Sequence, residues 1–189
     1  LLSCAGWLEM RFGRIAEATE MVETAVALYD NLNQLPPPGA GTDPLTTLSL
    51  LAVIGGDYAR SKTLGQQAWQ RAAARNDQQN LAYAGYSLTS VALAEDDYET
   101  ALDLAQKTMA AAKTAGNRWF MTYIHYQLGT IMQARGELAA ARQCYQAGYA
   151  IRESFADPDG MAAALGLLAE IAVADGDGRA AEQLYQQTI

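Results

Sequence analysis

Leu48, Leu88, Leu128 and Leu168 mark a 40-residue period, and the residues around each copy recur with it. A small residue or threonine follows each leucine: Ser49, Thr89, Gly129 and Ala169, with Gly6 in an earlier copy. Eight positions after each leucine comes a turn residue, Gly56, Asp96, Gly136 or Gly176, preceded in the chain by Gly13. A second small column follows each turn (Ala18, Ser61, Ala101, Ala141, Ala181), and then an apolar one (Met21, Leu64, Leu104, Cys144, Leu184). Self-similarity at such a period means stacked supersecondary units in which each unit covers only its neighbours.

The chain has 189 residues, half of them hydrophobic, enough to bury a continuous seam. Abundant alanine and glutamine with few β-branched runs favour helix over strand, so almost no sheet is expected. The net charge of -8 opposes sequence-independent attraction to nucleic-acid phosphates and to anionic membranes, so neither is expected as a direct partner. No apolar stretch reaches the roughly 20 residues that span a bilayer. Cys4 and Cys144 lack metal or redox spacing, and Cys144 occupies a column otherwise filled by Leu or Met, so a small core residue in a reducing, cytoplasmic setting is expected. Leu1-Leu2-Ser3-Cys4 resembles a lipoprotein cleavage box without its basic and apolar upstream regions. Because Leu2, Ala5 and Gly6 already sit in repeat register, the match is expected to be accidental.

Each unit reads as two helices, A and B, joined by a tight turn. Asp77, Asn117 and Asp157 are N-cap candidates for helix A, with Pro158 suited to the first helical position. Helix B is expected to begin near Tyr58, Tyr98, Leu138 and Arg179, behind Asp57, Asp97, Glu137 and Asp177, whose charge opposes the positive end of the helix dipole. Small residues such as Gly129 on A and Ala141 on B let the two helices approach closely.

These motifs resemble the tetratricopeptide repeats: Leu48-Ser49 with Gly56-Asp57-Tyr58 and Ser61, Leu88-Thr89 with Asp96-Asp97-Tyr98 and Ala101, Leu128-Gly129 with Gly136, Ala141 and Tyr145, and Leu168-Ala169 with Gly176, Ala181 and Tyr185. The resemblance implies an all-α fold, an α-α superhelix or solenoid of antiparallel helix pairs. The family's usual unit is about 34 residues long. A period of 40 lengthens each helix by about three residues, roughly 4.5 Å of rise. Units of that length are similar to those in the sensor regions of signal-transducing ATPase transcription regulators of the maltose-activator type. A single repeat domain over 1–189 is expected, with units at 1–33 (partial), 43–76, 77–116, 117–156 and 157–189 (truncated), cut from a larger multidomain protein. Between the first two units, Leu35-Pro36-Pro37-Pro38-Gly39-Ala40-Gly41 reads as a stiff extended spacer ahead of a shortened helix A that starts at Asp43-Pro44.

No catalytic, metal or cofactor site emerges from the sequence. His125 is the sole histidine, which rules out two-histidine zinc motifs within the chain, and it is expected to be partly buried and hydrogen-bonded. Asp175-Gly176-Asp177-Gly178 lacks the later ligands of a calcium loop, and Gly55-Gly56-Asp57 lacks the lysine of a phosphate loop, so both read as turns. The acidic run Glu95-Asp96-Asp97 with Glu99 reads as a solvated, helix-capping turn, with a cation or basic-partner site as the alternative.

In tetratricopeptide proteins the A helices line a concave, ligand-binding face. Carried over by register, its ligand-facing positions are Tyr83, Tyr86 and Ser90 in one unit and Tyr123, Tyr126 and Thr130 in the next, with Gln133, Trp7, Leu50 and Glu170 as neighbours. Residues i and i+3 share a helix face, and tyrosine joins contact area to a hydroxyl. The equivalent positions elsewhere are Asp43 and Thr46, and Ala163 and Gly166, so the rings do not recur in every unit. Either the rings bind a partner or they fill space between helices. The family's carboxylate clamp needs Lys, Arg and Asn where this face has Tyr, Ser and Thr. The leading expectation is therefore a non-catalytic module that binds a protein or peptide segment or a small effector. It would belong to a larger bacterial regulatory protein, with a transcription regulator as the specific case. The alternative is a self-associating scaffold or free-standing adaptor.

Overall fold

The computed structural model describes residues 13–32, 37–39 and 41–188. Leu1 to Cys4, Gly6, Trp7, Leu35, Pro36 and Ala40 lie outside the described residues. Among the described residues the fold is all-α, with helices α1 (Ile15–Leu32), α2 (Pro44–Ile54), α3 (Tyr58–Ala74), α4 (Gln78–Ala94), α5 (Tyr98–Thr114), α6 (Met121–Ala134), α7 (Leu138–Ser154), α8 (Pro158–Ala174) and α9 (Gly178–Gln186). The chain divides into two compact units, residues 1–115 with α1 to α5 and residues 116–189 with α6 to α9. Within each unit, helices adjacent in sequence pack as antiparallel hairpins, and in the first unit α2 also packs on α4.

The 40-residue period is filled by two 17-residue helices and two three-residue turns, as α4 and α5 show. Every A-to-B turn puts its key residue in the left-handed region: Gly13, Gly56, Gly136 and Gly176 at φ of 76° to 79°, and Asp96 at 56°. The amide three residues beyond helix A then reaches back five residues, from Asp57 to Ala52 at 2.8 Å and from Asp97 to Ala92 at 2.9 Å. This pairs carbonyls that the helix end would otherwise leave open. The B-to-A turns use the same device at Asn76, Gly116 and Ala156, again one period apart.

Both small columns are core. Ala18, Ser61, Ala101 and Ala141 are fully buried, as are Ser49, Thr89 and Ala169. The apolar column Met21, Leu64, Leu104, Cys144 and Leu184 is only half-buried, so Cys144 sits at the core's margin, where burial still raises its thiol pKa. Asp57, Asp97 and Asp177 each accept the backbone N–H three residues on, as N-caps do. Glu137 does not. Its carboxylate pairs with Arg135 at 2.8 Å instead. Helix α9 starts at Gly178, one residue ahead of the expected Arg179.

Helix α2 begins at Pro44 behind Asp43, as the shortened helix A requires, and Asp43 accepts the Leu45 amide. Asn80 at the start of α4 fixes the preceding loop, accepting from Asp43 N at 2.7 Å and donating to Gly41 O at 2.9 Å. Pro37 and Pro38 are exposed and lie outside any helix.

Candidate functional site

The register that carries Tyr83, Tyr86 and Ser90 places all three on α4 in the first unit, each half-buried. The Ser90 hydroxyl donates to Tyr86 O at 3.0 Å, one turn back on the same helix. Leu50, in α2 of the same unit, is also half-buried. In the second unit Tyr123, Tyr126, Thr130 and Gln133 lie on α6, with Thr130 exposed and the other three half-buried. Glu170 is exposed on α8 and His125 half-buried on α6. Each set of tyrosines therefore belongs to its own unit.

The second unit is held by three pairs, each a glycine and the large side chain that lies over it. A Cβ on Gly129 would overlap the Tyr145 ring, one on Gly148 would overlap Tyr126, and one on Gly160 would meet the Arg152 stem. Tyr145 is fully buried, and its hydroxyl donates to Gln133 Oε1 at 3.1 Å, with Thr130 Oγ1 at 3.4 Å. Tyr126 rests on α7 at Gly148, lies 6.4 Å from the Tyr145 ring, and donates its hydroxyl to Gly160 O at 3.2 Å on α8. Burial raises the pKa of both phenols, so both stay protonated donors. Packing thus accounts for the Tyr126 ring, and Thr130 and Gln133 hold the Tyr145 hydroxyl.

Arg152 is 3% exposed, although arginine is rarely buried unless it is paired. Its guanidinium sits 4.2 Å from the Trp119 ring centre and 4.7 Å from that of Tyr123, and it bonds Asp157 at 2.8 Å. Stacking on aromatic faces and a carboxylate partner replace part of the water it loses, while its buried Nε has no hydrogen-bond partner among the described residues. Burial alone would depress its pKa, but contacts with Tyr123 and Asp157 outweigh this and hold it above the ordinary value. The Gly160 amide and then Arg152 hold the Asp157 carboxyl below the usual range. Trp119 and Tyr123 also meet edge to face at 5.2 Å.

Sequence reasoning missed this cluster. Position 152 is Ala72 and Ala112 in earlier units, and position 148 is Ala68 and Thr108, so departures from the columns were the available signal. The same cluster corrects the expected start of α6. Asn117 does accept the Phe120 amide at 3.2 Å, but residues 118–120 form turns and the α-helix begins only at Met121. Asp77 and Asp157 cap as expected, with Pro158 at the first position of α8.

Among the described residues no three His, Cys, Asp or Glu side chains group as a metal site would require, and no helix is long and apolar enough to cross a membrane. Asp175, Gly176 and Asp177 form an inter-helix turn in which Asp175 pairs with Arg142.

Residues 121–189 match the family model described as tetratricopeptide repeat. No curated protein matches the chain in sequence. Among solved structures, a Rap protein complexed with Competence and Sporulation Factor is similar over 100% of this chain and 52% of its own, with 14% identity and a TM-score of 0.86. The chain thus spans about half the length of that protein. BtubC from P. vanneervenii is similar over 99% of this chain and 76% of its own, at 16% identity and a TM-score of 0.76. A thermophilic TPR protein of Thermus thermophilus is similar over 99% and 88%, at 17% identity and a TM-score of 0.70. The chain therefore has the helix-hairpin fold of tetratricopeptide proteins.

Proposed function

We propose that this chain is a non-catalytic interaction module of a larger cytoplasmic regulatory protein, binding a protein or peptide segment, or a small effector, through tyrosines on its A helices. Tyr83, Tyr86 and Ser90 form the contact surface of the first unit and Tyr123 contributes to that of the second. Tyr126, Thr130 and Gln133 support the second surface from behind.

The observation that carries this reading is a difference between matched positions. Tyr126 sinks onto Gly148, whereas the counterpart of Gly148 in the first unit is Thr108, itself fully buried. The glycine seat that accounts for Tyr126 is therefore filled opposite Tyr86, and packing of that kind does not explain the Tyr86 ring. A half-buried tyrosine without that glycine seat suits a binding surface. In support, the Rap protein of like fold was solved in complex with a factor. The 40-residue period and its likeness to regulator sensor regions support a transcriptional setting. Fold alone does not fix function, so the tyrosines have to be tested directly.

The test places a photo-crosslinking amino acid at Ser90 in the parent protein and compares partner capture and urea midpoints for Tyr83→Ala, Tyr86→Ala and Tyr126→Ala. Loss of capture at near-unchanged midpoint is expected for the first two. A loss of about 2–4 kcal/mol is expected for Tyr126→Ala, below that of a fully buried aromatic because the ring is half-buried. Should Tyr83→Ala and Tyr86→Ala destabilise by that amount too, the rings are packing and the self-associating scaffold becomes the better reading.

A further inference from the structure

In the first unit α3 and α5 both pack on α4, and a groove of about 440 Å³ runs between them. Its floor is apolar, made by Leu88 and Val91 of α4. Its walls are Gln66 and Trp69 of α3 and Leu104 of α5, and neither Tyr83 nor Tyr86 lines it. Trp69 is fixed by the backbone beneath it: a Cβ on Gly85 would lie 2.7 Å from its ring. The side chains along α3 run from Lys62 to Gln70, roughly 12 Å at the helical rise.

The groove changes chemical character along its length. One end carries Lys62, Glu95 and Asp97, with Lys62 Nζ already 2.8 Å from a Glu95 oxygen. Asp97 is fully ionised near neutrality, because its bond from Thr100 lowers its pKa. Glu95 and Asp97 outweigh Lys62, so this end carries a net negative charge. The other end offers the Trp69 ring and the side-chain amide of Gln70, with Gln66 midway along α3, one turn from Lys62. Small-molecule sites gather their few polar groups around one point, whereas these are spread along two helices. Complementarity of charge at one end and apolar area at the other describes a short amphipathic segment.

We propose that the groove between α3 and α5 docks a basic amphipathic protein segment of about two helical turns, setting a lysine or arginine against Glu95 and Asp97 and an apolar side chain between Trp69 and Leu104. This surface is distinct from the tyrosine-bearing faces, so its failure leaves the reading of those faces intact.

The probes are synthetic peptides of about two helical turns, with lysines at one end and leucines at the other, made in both chain directions, alongside versions with glutamate replacing lysine. Binding to the full chain is followed through the indole N–H resonance of Trp69, assigned with Trp69→Phe. The expected result is a saturable shift with a lysine peptide and none with the glutamate peptides. Gln66 is exposed on α3, so Gln66→Lys and Gln66→Glu both keep the fold. Gln66→Lys should weaken binding by at least about tenfold and Gln66→Glu should strengthen it. Four outcomes overturn the proposal. The Gln66 variants bind alike, which marks general attraction to an acidic chain. Tyr86→Ala abolishes the shift while Gln66→Lys does not. Putrescine alone reproduces the shift with the same Gln66 dependence, which makes the groove a cation site. Trp69 moves with protein concentration in the absence of peptide, which makes the occupant a second copy.

Discussion

The Tyr145 ring is 1% exposed and lies across the Cα of Gly129, where a methyl group would overlap it. Two earlier units solve the same crossing with different sizes. Ser49 faces Gly65, where an added Cβ would lie 2.9 Å from the serine Oγ, and Ser49 Oγ sits 3.1 Å from Ser61 Oγ. Thr89 has Ala105 at the matched position. Bulk on one helix is offset by its absence on the other, and close-packed interiors punish any change that ignores this. Gly129→Ala should therefore destabilise the chain by about 1–2 kcal/mol, the strain of overpacking less the helix propensity gained. Combining it with Tyr145→Ala should cost less than the sum of the two single losses, because removing the ring frees the space that the methyl needs. Urea midpoints of the four proteins measure the coupling, and strict additivity would show that Gly129 is not chosen for this ring.

At the level of helices and turns, most of the architecture could be read from spacing alone, since turn geometry depends on residues with few alternatives. Glycine at 13, 56, 136 and 176 marks left-handed turns, and aspartate one residue further on at 57 and 177 caps the following helix. Reading failed where a side chain outside the pattern took over. Residues 118–120 leave the helix that Asn117 would start, and their turn brings Trp119 over a guanidinium donated by Arg152, in the last turn of α7. No local signal near Asn117 announces that contact. Ala156 is a different exception. It adopts φ 50° at the turn position held by Asn76 and Gly116 in the earlier units. An alanine there bears a left-handed strain of about 1–2 kcal/mol that glycine does not. Ala156→Gly gives back about 0.4–1 kcal/mol through the freer unfolded chain, which leaves a net gain of up to about 1.5 kcal/mol. A raised midpoint in urea or heat is the expected result, and a lowered one would mean that the Ala156 methyl makes a contact worth more than the strain.

Across the whole chain the period is the strongest statement the sequence makes, and the candidate site is the weakest. Columns repeated four or five times average out individual side chains, which is why they predict helices and buried seams well. A binding residue is by nature a departure from the columns, and so is a packing residue such as Arg152 or Tyr126. Register alone therefore grouped Tyr86 with Tyr126, although one has Thr108 at the matched position and the other sits on Gly148. The period itself makes a testable claim. Stability in such arrays is close to a sum over repeats and their neighbours, so removing one whole period subtracts terms without disturbing the rest. Deleting residues 77–116 joins Asn76 to Asn117 and keeps every column in register, but it puts Phe120 where Asn80 stood. The loop then loses the bonds from Asp43 N and to Gly41 O. The shortened chain should keep its helical circular dichroism per residue and a cooperative transition at a lower midpoint. Deleting residues 77–110, the usual length of a tetratricopeptide repeat, shifts later columns by six positions and turns polar faces into the seam. That chain should lose cooperative unfolding, and if both deletions behaved alike, the 40-residue register would not be what holds the hairpins together.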